Sequence, residues 1–281
     1  MLLVTAAIWG TGFVAQRMGM TNVGPFSYNA MRFAVGALSL VPVLLARRTT
    51  WSTVRKALGP GILAGSVLAV AASLQQSGLQ FTTAGKAGFI TGIYVVLVPI
   101  VGSFIGRHTP VLTWIGAVAA LAGLYLLSFS GSVSINLGDM LVLGSAFFWT
   151  AHILVLDRWA SRVDALVLAC IQFAVCSILC WGAVGLVEAP TTKGFIEAAL
   201  PILYGGIFSI GIAYTLQAVA QTRAHPSRAS IIMSLEAPFA AISGFLFLGE
   251  RLGARELAGC ALMLLGMIVA QSRPAALKQL E

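Results

Sequence analysis

Phe26–Ala46, FSYNAMRFAVGALSLVPVLLA, is an apolar run that carries one charge, Arg32, and stops at Arg47-Arg48. At about 1.5 Å per residue, a helix of this length crosses the ~30 Å hydrocarbon core of a bilayer. Part of the run returns later in the chain: Phe33-Ala34-Val35 recurs as Phe173-Ala174-Val175 inside a second apolar run, Ala165–Val187. A bilayer-length helix and an internal echo of it set the reading of everything else.

Working outward, ten segments meet the same test: Leu2–Met18, Phe26–Ala46, Ala57–Leu79, Ala84–Ile105, Val111–Ser128, Leu137–Leu156, Ala165–Val187, Ala198–Gln221, Ala229–Leu248 and Leu257–Gln271. Composition agrees. Of 281 residues 58% are hydrophobic and 9% charged, where a soluble domain carries about 25% charged residues; the mean hydropathy is +0.93. Lipid is the solvent for such a chain, and the loops are too short for a soluble domain. Leu2–Val14 lacks a basic leader and a small-residue cleavage site, and another span follows directly, so it reads as a first span and not as a signal peptide.

The net charge of +8 does not point to nucleic acid, because the basic residues lie between apolar runs and not in a patch interleaved with aromatics. Cys170, Cys176, Cys180 and Cys260 all sit inside apolar segments without metal-ligand spacing, so neither a metal nor any other cofactor is expected. Eleven of the seventeen lysines and arginines fall in one set of alternate loops or the tail. Since cytoplasmic loops retain basic residues, both termini are expected in the cytoplasm.

The internal echo extends along the chain at an offset of 140 to 143 residues: Trp9 with Trp149, Leu74-Gln75 with Leu216-Gln217, Lys86-Ala87 with Arg228-Ala229, Gly116 and Gly123 with Gly259 and Gly266. Five spans per half is an odd number, so the second half enters the membrane from the opposite side. The expected fold is all-α and integral to the membrane, ten transmembrane helices as two inverted five-helix repeats, 1–131 and 136–272, with a cytoplasmic tail 273–281. Proteins built this way hold their solute near the bilayer midplane, where the halves meet.

Candidate residues follow from depth. Trp9 lies about 12 Å from the inner end of the first span and Trp149 about 18 Å from the outer end of the sixth, both near mid-membrane. Tryptophan ordinarily prefers the interface, so this pair is expected to line a cavity, with interhelical packing as the alternative. Phe13 and Gln16 follow Trp9 on one helical face, His152 follows Trp149, and Tyr214, Gln217 and Gln221 form a further stripe. Gln75 on the third span and Tyr94 on the fourth complete the candidate set. For each glutamine an interhelical hydrogen bond is the competing role.

Two charges lie within spans, Arg32 and Glu236. Their depths differ, which argues against a direct ion pair, and Arg32 can snorkel outward to lipid headgroups. Glu236 and His152 share an approximate depth and could exchange a proton in a common cavity. Pro99 and Pro238 occupy the fourth span of each half, where a proline kinks the helix and offers a gate.

With Ala7-Ile8-Trp9-Gly10, Arg32-Phe33, Gly249-Glu250 and the paired glycines of the fifth and tenth spans, the chain resembles the EamA-type members of the drug/metabolite transporter superfamily over nearly its whole length. The resemblance is greatest to bacterial exporters of amino acids, including aromatic ones. It implies a secondary transporter of the bacterial inner membrane, with alternating access and the first, third, fourth, sixth, eighth and ninth spans around a central cavity. Where the second half has Gly249-Glu250, the first has Gly106-Arg107, so that glutamate occurs once. There is no lysine/arginine pair at cavity depth to grip a phosphate.

The expected partners are a small-molecule solute and the bilayer, with a monomer or a homodimer left open. A facilitative exporter of amphipathic cations or nucleosides is the alternative. An intramembrane enzyme is less well supported, since GxSxG and HExxH motifs are missing. A channel would need rings of charge or carbonyl-lined loops.

Overall fold

The computed structural model describes residues 1–82, 84–128, 136–248 and 253–272. The Gly249-Glu250 pair, the end of the first repeat near 131 and the tail 273–281 lie outside the described residues. Among the described residues all regular structure is helical: α1 Leu2–Gly19, α2 Pro25–Ala46, α3 Trp51–Gly78, α4 Ala84–Gly92, α5 Tyr94–Phe104, α6 Val111–Ser128, α7 Leu137–Trp159, α8 Ala165–Val187 and α9 Thr192–Glu197. Then come α10 Ala199–Tyr204, a π-helical segment Gly205–Tyr214, α11 Thr215–Ala220, α12 Pro226–Met233, α13 Glu236–Leu248 and α14 Ala254–Gln271.

Among the described residues seven helical stretches are long and apolar enough to cross a membrane: Pro25–Ala46, Trp51–Gly78, Ala87–Phe104, Leu137–Trp159, Ala165–Val187, Ala199–Ala220 and Ala254–Gln271. The remaining expected spans correspond to α1, which carries Gln16 and Arg17 near its end, to the shorter α6, and to the interrupted α12–α13. Polarity is turned inside out. Leu45, Phe104 and Leu186 are 73%, 87% and 85% exposed, while Gln76, His152 and Gln172 are wholly buried. An apolar exterior around hydrogen-bonding groups is what a protein dissolved in lipid requires.

Helix ends and close crossings fix the arrangement. At the start of α2, Glu188, just past α8, accepts from the Phe26 and Ser27 amides at 2.8 and 2.9 Å and from the Ser27 hydroxyl at 2.6 Å. At the other end, Asp164 caps α8 by accepting from the Leu166 and Val167 amides and takes Arg47, just past α2, at 3.0 Å. Between these ends the Ser177 hydroxyl donates to the Ala30 carbonyl and the Cys170 thiol to that of Ala37, so α2 and α8 run antiparallel.

α6 and α14 form a second antiparallel pair by backbone approach. A methyl group on Gly123 would lie 2.6 Å from the Gly259 carbonyl oxygen, and one on Gly266 would lie 2.7 Å from that of Gly116. Gly10 likewise admits α13 to α1: its methyl would meet Phe239 Cβ at 2.6 Å. α3 packs on α7 and α8, and the π-helical segment packs on α1 and α2.

The expected fourth and ninth spans are each interrupted, the ninth in the turn before its proline and the fourth away from it. Between α4 and α5, at Ile93, the ladder tightens: the Ile93 amide donates to Ile90 and the Val96 amide to Ile93. Pro99 lies six residues later, buried inside α5. Between α12 and α13 the Leu235 amide turns to Ile232 and the Ala237 amide to Ser234. Here Pro238 is a cause, because it has no N–H to give the Ser234 carbonyl, and the helix resumes at Glu236. Shortening to i→i−3 bonds in mid-helix often marks a hinge.

Candidate solute cavity

The two interruptions face one cavity, open at its mouth. α1 supplies Trp9, Phe13 and Gln16, the i, i+4, i+7 stripe expected from the sequence. The π-helical segment and α11 supply Ser209, Tyr214 and Gln217; α7 supplies Trp149 and Ile153; α3 and α4 supply Gln75 and Thr91. Tyr94, Met233 and Glu236 border the interruptions, and Arg32 reaches in from α2.

Tyr214 is the centre of the aromatic wall. Its ring lies 4.5 Å from Trp9 and 6.1 Å from Trp149, and the latter pair is stacked at 26°. The Trp9 indole N–H donates to the Ser209 carbonyl at 3.2 Å. Ser209 and Tyr214, five residues apart, share a face because the segment winds as a π-helix, a distortion frequent at functional sites. Its winding also passes close to α2: a methyl on Gly206 would lie 2.5 Å from Val35 Cβ.

The polar side is only partly satisfied. Gln75 donates to the Thr91 hydroxyl at 3.0 Å, and the Tyr94 hydroxyl donates to Glu236 Oε1 at 3.4 Å. Gln16 Oε1, Trp149 Nε1 and Gln217 Oε1 belong to cavity residues and have no hydrogen-bond partner. Buried groups of this kind are normally paired, and these three belong to residues around one cavity. Among the described residues no three His, Cys, Asp or Glu side chains converge as metal ligands would.

The structure corrects several expectations. His152 does not line the cavity: it is fully buried behind the wall, hydrogen-bonded through Nε2 to Gln172 Oε1 at 2.8 Å and edge-on to Trp149 and Tyr214. The residue that turns inward beside Trp149 is instead Ile153, so His152 and Glu236 do not face each other across the cavity. Arg32 does not snorkel: it is 3% exposed and its side chain lines the cavity, which therefore holds more fixed charge than the sequence suggested. Gln221 leaves its stripe to donate to the Ile153 carbonyl, and neither Pro99 nor Pro238 lines the space.

Helices with an apolar exterior, enclosing a partly polar cavity at broken segments, define a multi-pass membrane protein that handles a solute. The family model described as the EamA-like transporter family matches residues 1–129 and again 136–271. The chain belongs to the EamA-like transporter family. A protein of Archaeoglobus fulgidus named as an uncharacterized transporter is 30% identical over 97% of this chain and 85% of its own. The Escherichia coli K12 protein named as the uncharacterized inner membrane transporter YedA is 25% identical over 72% of this chain and 68% of its own. A crystal structure 19% identical in sequence superposes with a TM-score of 0.81 over 96% of both chains and shares the fold. The family and these named relatives are transporters and not enzymes.

Proposed function

We propose that this protein is a secondary transporter that exports small organic solutes, amino acids with aromatic ones among them, by alternating access around the cavity. The observation that carries the reading is the meeting of two interrupted helices, α4–α5 and α12–α13, at a cavity with an aromatic wall and unpaired hydrogen-bonding groups. Discontinuous helices at a central site are a recurrent transporter device, since they free backbone groups and provide hinges.

The same reading takes the chain as ten spans in two inverted repeats, with both termini in the cytoplasm of a bacterial cell. Support comes from the separate family match to each half and from the packing. α3 on α7 and α8 mirrors the π-helical segment on α1 and α2 when the halves are exchanged, and the pairs α2–α8 and α6–α14 map onto themselves. The basic-residue asymmetry supports the orientation.

The test is counterflow in proteoliposomes loaded with unlabelled phenylalanine, leucine, uridine or tetraethylammonium, following entry of the labelled compound. Saturable uptake accelerated by solute on the far side is expected for at least one amino acid. Uptake that rises linearly with concentration and ignores the far side would favour a pore over a carrier, and no uptake of any compound would overturn the reading.

A further inference from the structure

Beneath the cavity, at the end of the molecule that carries Arg47 and Arg162, the helix ends are fastened to one another. α5 closes in a Schellman turn: the Gly106 amide donates to the Ser103 carbonyl at 3.2 Å and the Arg107 amide to that of Gly102 at 2.8 Å, with Gly106 at φ +79°. The turn brings Arg107 to α7, where its Nη2 is in direct contact with Asp157 Oδ2. Asp157 stands at i+4 from Ile153 and continues the Trp149–Ile153 face, so the ion pair lies about 6 Å below the cavity wall along that helix. Two residues past Arg107, the Thr109 hydroxyl meets the Ser227 hydroxyl of α12 at 3.2 Å, both buried. The inner halves of the two interrupted spans, α5 and α12, are thereby pinned to each other and, through Arg107, to α7.

The cavity reaches unequally towards the two ends. Gln16 and Gln75 line it three residues from the outer ends of α1 and α3, whereas on α1, α7 and α12 the lining stops six or seven residues short of the inner ends, at Trp9, Ile153 and Met233. Gln217 lies nearer the inner end of α11, and Gln221, one turn on, closes beneath it by donating to the Ile153 carbonyl at 3.0 Å. The offset of 140 residues that relates Trp9 to Trp149 carries Asp157 back to Arg17, which is exposed in the last turn of α1 at the outer end. Matched positions are thus sealed in an ion pair at one end and exposed at the other.

We propose that Arg107 and Asp157, backed by Thr109 and Ser227, form a latch that shuts the inner end of the cavity while the outer end is open, and that parts when the cavity opens to the cytoplasm; the assignment of this end to the cytoplasm rests on the transporter reading above. The Asp157 side chain is 11% exposed and that of Arg107 43%. Attraction at such a half-shielded place is stronger than on a free surface and weaker than in a dry core, which biases two conformations without freezing one. Parting returns both charges to water, which offsets part of the attraction lost, whereas an apolar plug would expose its surface to water at every opening. Gly106 supplies the left-handed residue that the turn needs. The turn keeps Arg107 fixed to the end of α5, so a bend at the Ile93 interruption carries the guanidinium away from α7 as one body.

The experiment reads access to the cavity, by reaction of a single cysteine, Ile153→Cys or Ser209→Cys in a cysteine-free background, with an impermeant methanethiosulfonate. Spheroplasts of the expressing cells present the outer face, and inside-out vesicles present the cytoplasmic one. In the parent, labelling is expected from outside and not from the cytoplasm. Asp157→Asn and Arg107→Gln should each speed cytoplasmic labelling about fivefold or more and slow labelling from outside. Arg107→Asp combined with Asp157→Arg should bring both rates back to within about twofold of the parent. Arg107→Gln leaves Asp157 buried without its partner and can impair folding; Asp157→Asn, which leaves a half-exposed arginine, decides if only one of the two inserts. A parent labelled as readily from the cytoplasm as from outside would overturn the latch. So would neutral variants with parental cytoplasmic rates, or a charge swap as open as the neutral variants. Labelling needs no solute, so the latch and the carrier fail separately. Counterflow without any change of sidedness in the variants removes the latch alone. Sidedness that switches as expected, without counterflow for any compound, removes the carrier and leaves a gated cavity.

Discussion

The Tyr94 hydroxyl and the Glu236 carboxylate meet at 3.4 Å, each on the first residue of a helix that resumes after an interruption. This hydrogen bond ties the two broken spans together across the cavity. It is long, so its contribution is that of an ordinary hydrogen bond, about 1 kcal/mol. Tyr94→Phe removes the hydroxyl and keeps the ring. The expected result is an apparent affinity for the transported solute weakened about three- to tenfold, with the thermal unfolding midpoint within a few degrees of the parent. Transport kinetics in proteoliposomes provide the check; an unchanged KM would detach this contact from the site.

The aromatic wall and the residue behind it should separate in the same assay. Trp149 stacks on Tyr214 inside the cavity, whereas His152 touches both rings from the protein side. Trp149→Ala is expected to raise KM about tenfold or more while the protein still inserts, an aromatic contact plus lost apolar cover. His152→Gln should change KM by less than about threefold, because its hydrogen bond to Gln172 positions the wall without meeting the solute. Stability of each variant by thermal scanning in detergent separates packing from recognition.

Backbone contact between α6 and α14 predicts an asymmetry among glycines. Gly123→Ala would press a methyl onto the Gly259 carbonyl and should cost about 1–3 kcal/mol. Gly182 in α8 has nothing within 4 Å of a built methyl, so Gly182→Ala should be neutral or stabilising by up to about 1 kcal/mol, alanine being the better helix former. Chemical or thermal unfolding of the two variants in one detergent gives the comparison.

Topology can be read by labelling single cysteines in a cysteine-free background. The Arg47–Asp164 bridge puts positions 48 and 162 at one end of the α2–α8 pair, while Glu188 and Lys193 lie towards the other. Cysteines at 48 and 162 should react with impermeant reagent only from the cytoplasm, and a cysteine at 193 only from outside. The opposite pattern would invert the orientation.

The Trp9-Phe13-Gln16 stripe was legible because a regular helix preserves its period from sequence into space. The π-helical segment breaks that period, which hid Ser209: it shares a face with Tyr214 at a spacing of five. Depth along a span can be counted, but rotation about its axis cannot. This is why the sequence puts His152 in the cavity and leaves Ile153 out, and why it leaves Arg32 free to snorkel. For Arg32 a signal was present. Tyr28, Asn29, Gly36 and Ser39 fall with it on a stripe of small and polar residues, while Leu38, Val41 and Leu45 occupy the exposed side. Thr91 and Met233 sit one turn before Tyr94 and Glu236, on the same helical face.

The acid clasps at both ends of α2 and α8 have a mechanical meaning. Glu188 grips the amide end of α2, and Asp164 caps α8 while taking Arg47, so a one-turn slide of either helix would undo contacts at two places about 30 Å apart. The pair therefore behaves as a strut fastened top and bottom, stiff along its length. Displacement within the molecule is then left to the two interruptions, between α4 and α5 and between α12 and α13, which can bend against this fixed post.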